Sequence, residues 1–205
     1  MGRAAGERVT SKGEETRAQV LAAAVAQASA AGFESITIGT LAGRTGLSKS
    51  GLFAHFGSRV ELQMAALDEA ARQFTESVFL PALKAPRGVK RLRALFELWL
   101  RWPAEAKLPG GCPIDSALHE YDHRPGPLRD AIIDRQRQLD RELQKAVRLA
   151  IDTGELARDT DAELIAFEMV GLVMSFYRSQ HLLAPAQAMR RARAAFEHLI
   201  RSHGA

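Results

Sequence analysis

A chain of 205 residues, 46% hydrophobic and 25% charged, can build one domain or two small ones and bury a sizeable core without staples. Its single cysteine, Cys112, excludes an internal disulfide, and the lack of an apolar run of about 18 residues excludes a membrane-spanning helix. No secretory leader is evident and the formal net charge is only +4, so the expectation is a cytoplasmic protein without a membrane partner, in which the placement of charge matters more than its total.

That placement is uneven. Residues 1–60 carry seven Lys and Arg against four acids, a surplus of three out of the net +4. Residues 1–10 read as a loose basic arm, and "SKGE" from Ser11 has capping-box spacing for a first helix over about Lys12 to Ala31, ended by Gly32. Thr37 is placed to cap a short second helix that stops at Gly46, and Ser48 to cap a third. "SRVE" from Ser58 is another capping box, opening a fourth helix that Pro81 should stop at Leu80. Pro and Gly then mark helices over about Gly88 to Trp102, Pro113 to Tyr121, Pro127 to Asp152, Asp161 to His181 and Pro185 to Ser202. Without strand alternation or an internal repeat, the fold class is all-α.

Within "LAGRTGLSKSGLFAHF", Ala42 supplies a small contact side chain, Gly46 tolerates positive φ at a sharp turn, and Leu47 anchors the next helix. Two short helices crossing steeply need those three properties, which is the requirement of a helix-turn-helix. Leu47, Leu52 and Phe56 of the third helix can face inward, leaving Ser48, Lys49, Ser50 and Gly51 at its exposed start, where a recognition helix meets base edges. Gly51 costs about 1 kcal/mol of helix propensity relative to Ala, and closer approach to DNA would offset it.

The segment from Gly32-Phe33 to Leu62 resembles the DNA-binding domain of the TetR family of transcriptional repressors, in its glycine-aromatic helix end, its Thr37 cap, "LAGRTGLSKSGLFAHF" and "SRVEL". The resemblance implies an N-terminal three-helix DNA-binding domain, residues 1–57, followed by a helical effector-binding and dimerisation domain, residues 58–205. It also implies that Thr37 and Arg44 hold phosphates, that Ser48, Lys49 and Ser50 meet bases or nearby backbone, and that His55 and Arg59 clamp flanking phosphates. Phe53 stands where the family usually has tyrosine, which leaves packing or sugar contact without the phosphate bond. Arg59 stands where lysine is usual and adds a planar fork. Each residue also has a structural role open to it: Thr37 and Ser48 as caps, Arg44 and Lys49 as solvated charges, Phe53 as core. His55 has no second metal ligand at useful spacing.

One helix-turn-helix offers too few base contacts for a useful specificity ratio, so a homodimer reading two half-sites of double-stranded operator DNA is expected. "AELIAFEMVGLVMSFY" is apolar almost all round and must bury two faces. Together with the last helix it is expected to supply the dimer interface that the family uses, through Leu164, Phe167, Val170, Met174, Ala192 and Phe196. An alternative makes both helices the core of a monomer.

The middle of the chain holds large aromatics beside a few polar tips, the lining of an apolar small-molecule pocket and also of any helical core. Phe96, Trp99, Cys112, His119, Met169 and Phe176 are the candidate lining residues, and the resemblance implies an unidentified effector that changes the spacing of the DNA-reading heads. The fourth helix is the expected connector. DNA and effector would then weaken each other by the same factor.

Competing readings make Cys112 an oxidant sensor, or dispense with the ligand. An enzyme with Cys112 as nucleophile, His119 as base and Asp115 nearby fails on geometry, since seven residues span about 10 Å of helix, too far for a nucleophile-base hydrogen bond. There is no phosphate-binding glycine loop, no metal cluster and no Gly-x-Ser-x-Gly, so no cofactor, metal site or catalysis is expected.

Overall fold

Short-range caps frame the front of the molecule. The computed structural model describes residues 12–183 and 185–204; Ser11, the expected first cap, and the basic arm lie outside the described residues. α1 spans Lys12–Ala31, and Gly32 leaves it at φ 80° into a 3-10 turn, Phe33–Ser35. α2, Ile38–Thr45, opens with a reciprocal cap: the Thr40 amide donates to Thr37 Oγ1 and the Thr37 amide to Thr40 Oγ1, both at 3.0 Å. It closes at Gly46, φ 71°, whose amide donates to the Ala42 carbonyl. α3, Lys49–Phe56, is capped by Ser48 through the Gly51 amide, and α4, Arg59–Phe74, by Ser58 through the Glu61 amide at 3.1 Å.

Two prolines do not stop their helices where the sequence suggests. α4 continues through a π-turn, Thr75–Phe79, into a last α-turn, Leu80–Ala82. The π-turn resets the hydrogen-bond register so that Pro81 falls in the first turn after it, where a missing amide costs little. α5 spans Val89–Glu105 and runs straight through Pro103. Proline there has no N–H to offer the Trp99 carbonyl four residues back, and the hydroxyl of Tyr177 donates to that carbonyl instead, at 3.1 Å.

α6 spans Pro113–Tyr121, α7 Pro127–Asp152, α8 Ala162–Arg178 with a π-turn, Ser179–Leu183, and α9 Pro185–Ser202. No strand occurs among the described residues; an isolated antiparallel bridge, Leu156 with Gly204, ties the loop after α7 to the end of α9.

The buried side chains form two clusters. One joins Phe74 and Val78 of α4 to the apolar faces of α5, α7, α8 and α9. The other holds the head together through Val20, Phe33, Ile36, Leu41, Leu52, Phe56, Leu62 and Leu67, and takes in Ala117 and Tyr121 of α6 and Leu128 and Ile132 of α7. Phe33, Leu41, Leu52, Leu62 and Leu67 are fully buried, each contributing about 1.5–3 kcal/mol of transfer free energy. α6 therefore packs into the core of the head although it follows that head by more than fifty residues.

Candidate nucleic-acid interface and ligand cavity

α3 presents the residues that the sequence singles out. Ser48, Lys49, Ser50 and His55 are exposed, Phe53 is 58% exposed, and Arg44 projects from the exposed face of α2. Thr37 is half-buried by its capping role. Leu52 and Phe56 point inward, as expected of the helix's other face, and the Arg17 guanidinium lies 5.1 Å over the Phe56 ring. Gly51 has a local reason of its own: a Cβ there would lie 3.1 Å from Ser48 Oγ and crowd the cap. Phe53 is exposed rather than core.

Arg59 differs from its expected role. Its Nε donates to the Ile36 carbonyl at 3.1 Å and its Nη2 to the Glu34 carbonyl and, at 2.9 Å, to Glu34 Oε2. The planar fork that distinguishes it from lysine fastens the start of α4 to the loop between α1 and α2. Its guanidinium is thus held against the head by Nε and Nη2 while the side chain stays about 44% exposed, so it fastens the head as well as presenting charge at its surface.

The same loop is gripped from the other side by α6. Glu120 Oε2 accepts from the Phe33 amide and Oε1 from the Glu34 amide, each at 2.8 Å, and the Tyr121 hydroxyl donates to Glu34 Oε1 at 2.6 Å. The Tyr121 bond, with Arg59 second, holds the Glu34 carboxyl below the usual carboxylate range, while burial pushes the Tyr121 phenol up. Just before α6, Ser29 Oγ of α1 accepts from the Gly110 amide at 2.9 Å and donates to the Gly111 carbonyl at 2.8 Å. A Cβ on Gly110 would fall 1.8 Å from the Ser29 carbonyl oxygen, so the loop lies directly on the end of α1.

Behind this grip lies a cavity of about 630 Å³, walled by α4, α5, α6, α7 and α8. Its apolar wall includes Phe74, Phe79, Trp99, Ile114, Leu118, Leu139, Val170, Val173, Met174 and Tyr177. Of the six expected lining residues, Trp99 and Cys112 belong to it. Phe96 is instead stacked on Phe196, centroids 4.2 Å apart and planes 9° from parallel, and Met169 is fully buried in the core. Phe176 lines a second cavity of about 510 Å³ between the end of α5 and α9, and His119 is exposed on α6. Tyr177 was not singled out in sequence, yet it borders both cavities. The signal available for it was Pro103, whose missing amide leaves a carbonyl for some hydroxyl to satisfy.

Cys112 is buried and caps α6, its Sγ accepting from the Asp115 amide at 3.4 Å. Burial pushes its thiol up to about 12, a direction that disfavours the thiolate an oxidant sensor needs. Among the described residues no cluster of His, Cys, Asp and Glu could hold a metal ion, and no helix is long and apolar enough to cross a membrane.

The expected interface residues divide as well. Leu164 and Phe167 are 45% and 75% exposed, on the outer face of α8. Val170 and Met174 turn to the cavity, while Ala192 and Phe196 are buried within the chain's own core. A helix apolar all round carries no periodicity to tell its faces apart.

Comparison with known proteins agrees with this geometry. Residues 88–196 match the family model described as tetracyclin repressor-like, C-terminal domain, and residues 20–66 match bacterial regulatory proteins, tetR family. The chain belongs to the TetR family, whose members are non-enzymatic, DNA-binding transcriptional regulators. Among solved structures it is similar to a TetR transcriptional regulator from Chloroflexus aurantiacus J-10-FL, with 27% identity, 93% of this chain and 94% of that one covered and a TM-score of 0.79. A TetR-family regulator from Streptomyces coelicolor follows with 21% identity, 93% and 96% coverage and a TM-score of 0.78. AibR, solved in complex with isovaleryl coenzyme A and operator DNA, shares 21% identity over 92% of this chain and 97% of its own, with a TM-score of 0.66. No curated protein matches.

Proposed function

We propose that this regulator is a homodimeric repressor, released from a palindromic operator when a small, largely apolar effector occupies the cavity of about 630 Å³. One observation carries the reading: Ile114 and Leu118 of α6 line that cavity while packing against the core of the head. A ligand that shifts α6 shifts the element gripping the α1–α2 loop through Glu120 and Tyr121. α6 is then a connector beside α4, which the sequence alone favoured. Thr37, Arg44, Ser48, Lys49, Ser50, Gly51, Phe53 and His55 form the DNA face in this reading, with Arg59 positioning that face from behind. Dimerisation uses the outward side of α8 around Leu164 and Phe167, where exposed Gly171 leaves room for a partner helix to approach.

The test is fluorescence anisotropy on duplexes tiled from the DNA flanking the gene, at two salt concentrations and against competitor. The reading expects one tile bound by two chains, with affinity falling as salt rises. Arg44→Ala with Lys49→Ala should lower operator affinity by about tenfold or more and flatten the salt slope by up to about two per bound chain. An unchanged affinity in that double variant overturns the assignment of the DNA face.

A further inference from the structure

The charges around the cavity do not balance, and the imbalance has an address. Its wall holds two arginines, and both are engaged by carboxylates: Arg72 by Glu69 and Glu76, Arg135 by Asp68. Glu142 of the wall is likewise paired, with Lys145. Asp115, on α6, is different. Its amide bonds Cys112 Sγ, yet among the described residues no side chain or amide donates to its half-buried carboxylate. The imidazoles of His119 and His181 act on it at a distance, without a bond to it. Partial burial strips part of a carboxylate's hydration, and it accordingly pushes this carboxyl up. The rings of Phe74, Trp99 and Tyr177 line the same cavity, and aromatic π-faces attract positive charge.

Resting on the effector reading above, we infer that the cavity is built for a lipophilic cation, an apolar body carrying one ammonium group, whose N–H donors meet Asp115 while its body lies against the aromatic wall. An anionic ligand finds no unengaged cation there among the described residues. A coenzyme A thioester, such as the one bound to AibR, would bring phosphates into a wall whose arginines are already taken. A neutral ligand of the same shape gains the apolar contacts and leaves the carboxylate's charge uncompensated.

The experiment is calorimetric titration of the intact protein at neutral pH with three naphthalene probes of one shape: 2-naphthylmethylamine as the cation, 2-naphthalenemethanol as the neutral isostere and 2-naphthoate as the anion. The amine should bind about tenfold or more tightly than the alcohol, since hydrogen bonds to a buried charge are worth that ratio, and the anion most weakly. Asp115→Asn should bring amine and alcohol within about twofold by weakening the amine alone, whereas Asp134→Asn, on α7 outside the wall, should keep the wild-type order. The probe ranking on wild-type protein stands as a test even if the Asn variant fails to fold. Equal binding of amine and alcohol, or tightest binding of the anion, overturns the inference and leaves the apolar cavity as a ligand site. Binding of none overturns both. Amine binding in the expected order without release of operator DNA upholds the inference and overturns the effector role.

Discussion

The head and the cavity are held in shape by different kinds of contact. Between Lys12 and Phe56 each helix of the head is started or stopped by a group at most a few residues away: Thr37 with Thr40, Ser48 with Gly51, Gly46 with Ala42. The cavity draws its wall from Asp68 to Tyr177, and its shape rests mainly on apolar packing, with Tyr177 bonded to the Trp99 carbonyl and Arg135 to Asp68 across its helices. Short directional bonds fix a reading surface rigidly, which base recognition demands. Non-directional packing across distant helices yields a site whose chemistry changes with a few side chains while the fold is kept.

α6 is where this contrast can be broken, since it belongs to both regions. Phe33 lies fully buried under it, and Phe33→Ala should cost about 3–5 kcal/mol. If head and cavity are one cooperative unit, urea unfolding followed by circular dichroism and by tryptophan emission will shift together. A head that melts first, with Trp99 and Trp102 unperturbed, would show that the two regions separate. Glu120→Gln weakens the grip on the Phe33 and Glu34 amides without removing bulk, and should cost about 1 kcal/mol in the same experiment.

Smaller effects sharpen the picture. Glu34 has a folded carboxyl value below its unfolded one, first through Tyr121 and then Arg59. Its contribution is fully present above the unfolded value of about 4.3 and is lost as pH falls through the lower folded value. Thermal melts between neutral and acid pH should therefore fall less steeply for Glu34→Gln than for wild type. The difference will be slight because the Arg59–Glu34 pair is well solvated. Smallest of all, Cys112→Ser should leave DNA release insensitive to peroxide in both proteins; an oxidant response lost with the thiol would reverse the conclusion drawn from its burial.

The helix-turn-helix was legible because its determinants are adjacent in sequence. Caps, turn glycines and the inward Leu52 and Phe56 can be read from spacing alone, and they place Ser48 to Ser50 outside without any knowledge of the rest. Arg59 was half legible: its charge is plain, but its acceptors are the Glu34 and Ile36 carbonyls, and nothing in spacing reveals a bond to a main chain more than twenty residues away. In the C-terminal region Phe96 and Trp99 share one helix, yet Phe196 covers the first ring while the second lines the cavity, where Tyr177 bonds the Trp99 main-chain carbonyl. Which aromatic side chain lines a void depends on what the neighbouring helices bring, and that is a property of packing. Likewise Val170 and Met174 cannot be told from Leu164 and Phe167 in a helix that is apolar on every side.

The sharing of the head's core with α6 and the start of α7 bears on how far this DNA reader is portable. A graft cut after residue 57 onto a foreign sensor would part Phe33 and Ile36 from Ala117, Tyr121, Leu128 and Ile132, leaving an oily scar on the transplanted piece. A working chimaera would have to carry α6 along, or borrow a substitute with the same small and aromatic side chains at those points. For the same reason, descendants of this sequence that acquire new ligands by reshaping α6 are constrained on its other side, where every change must still fit the head.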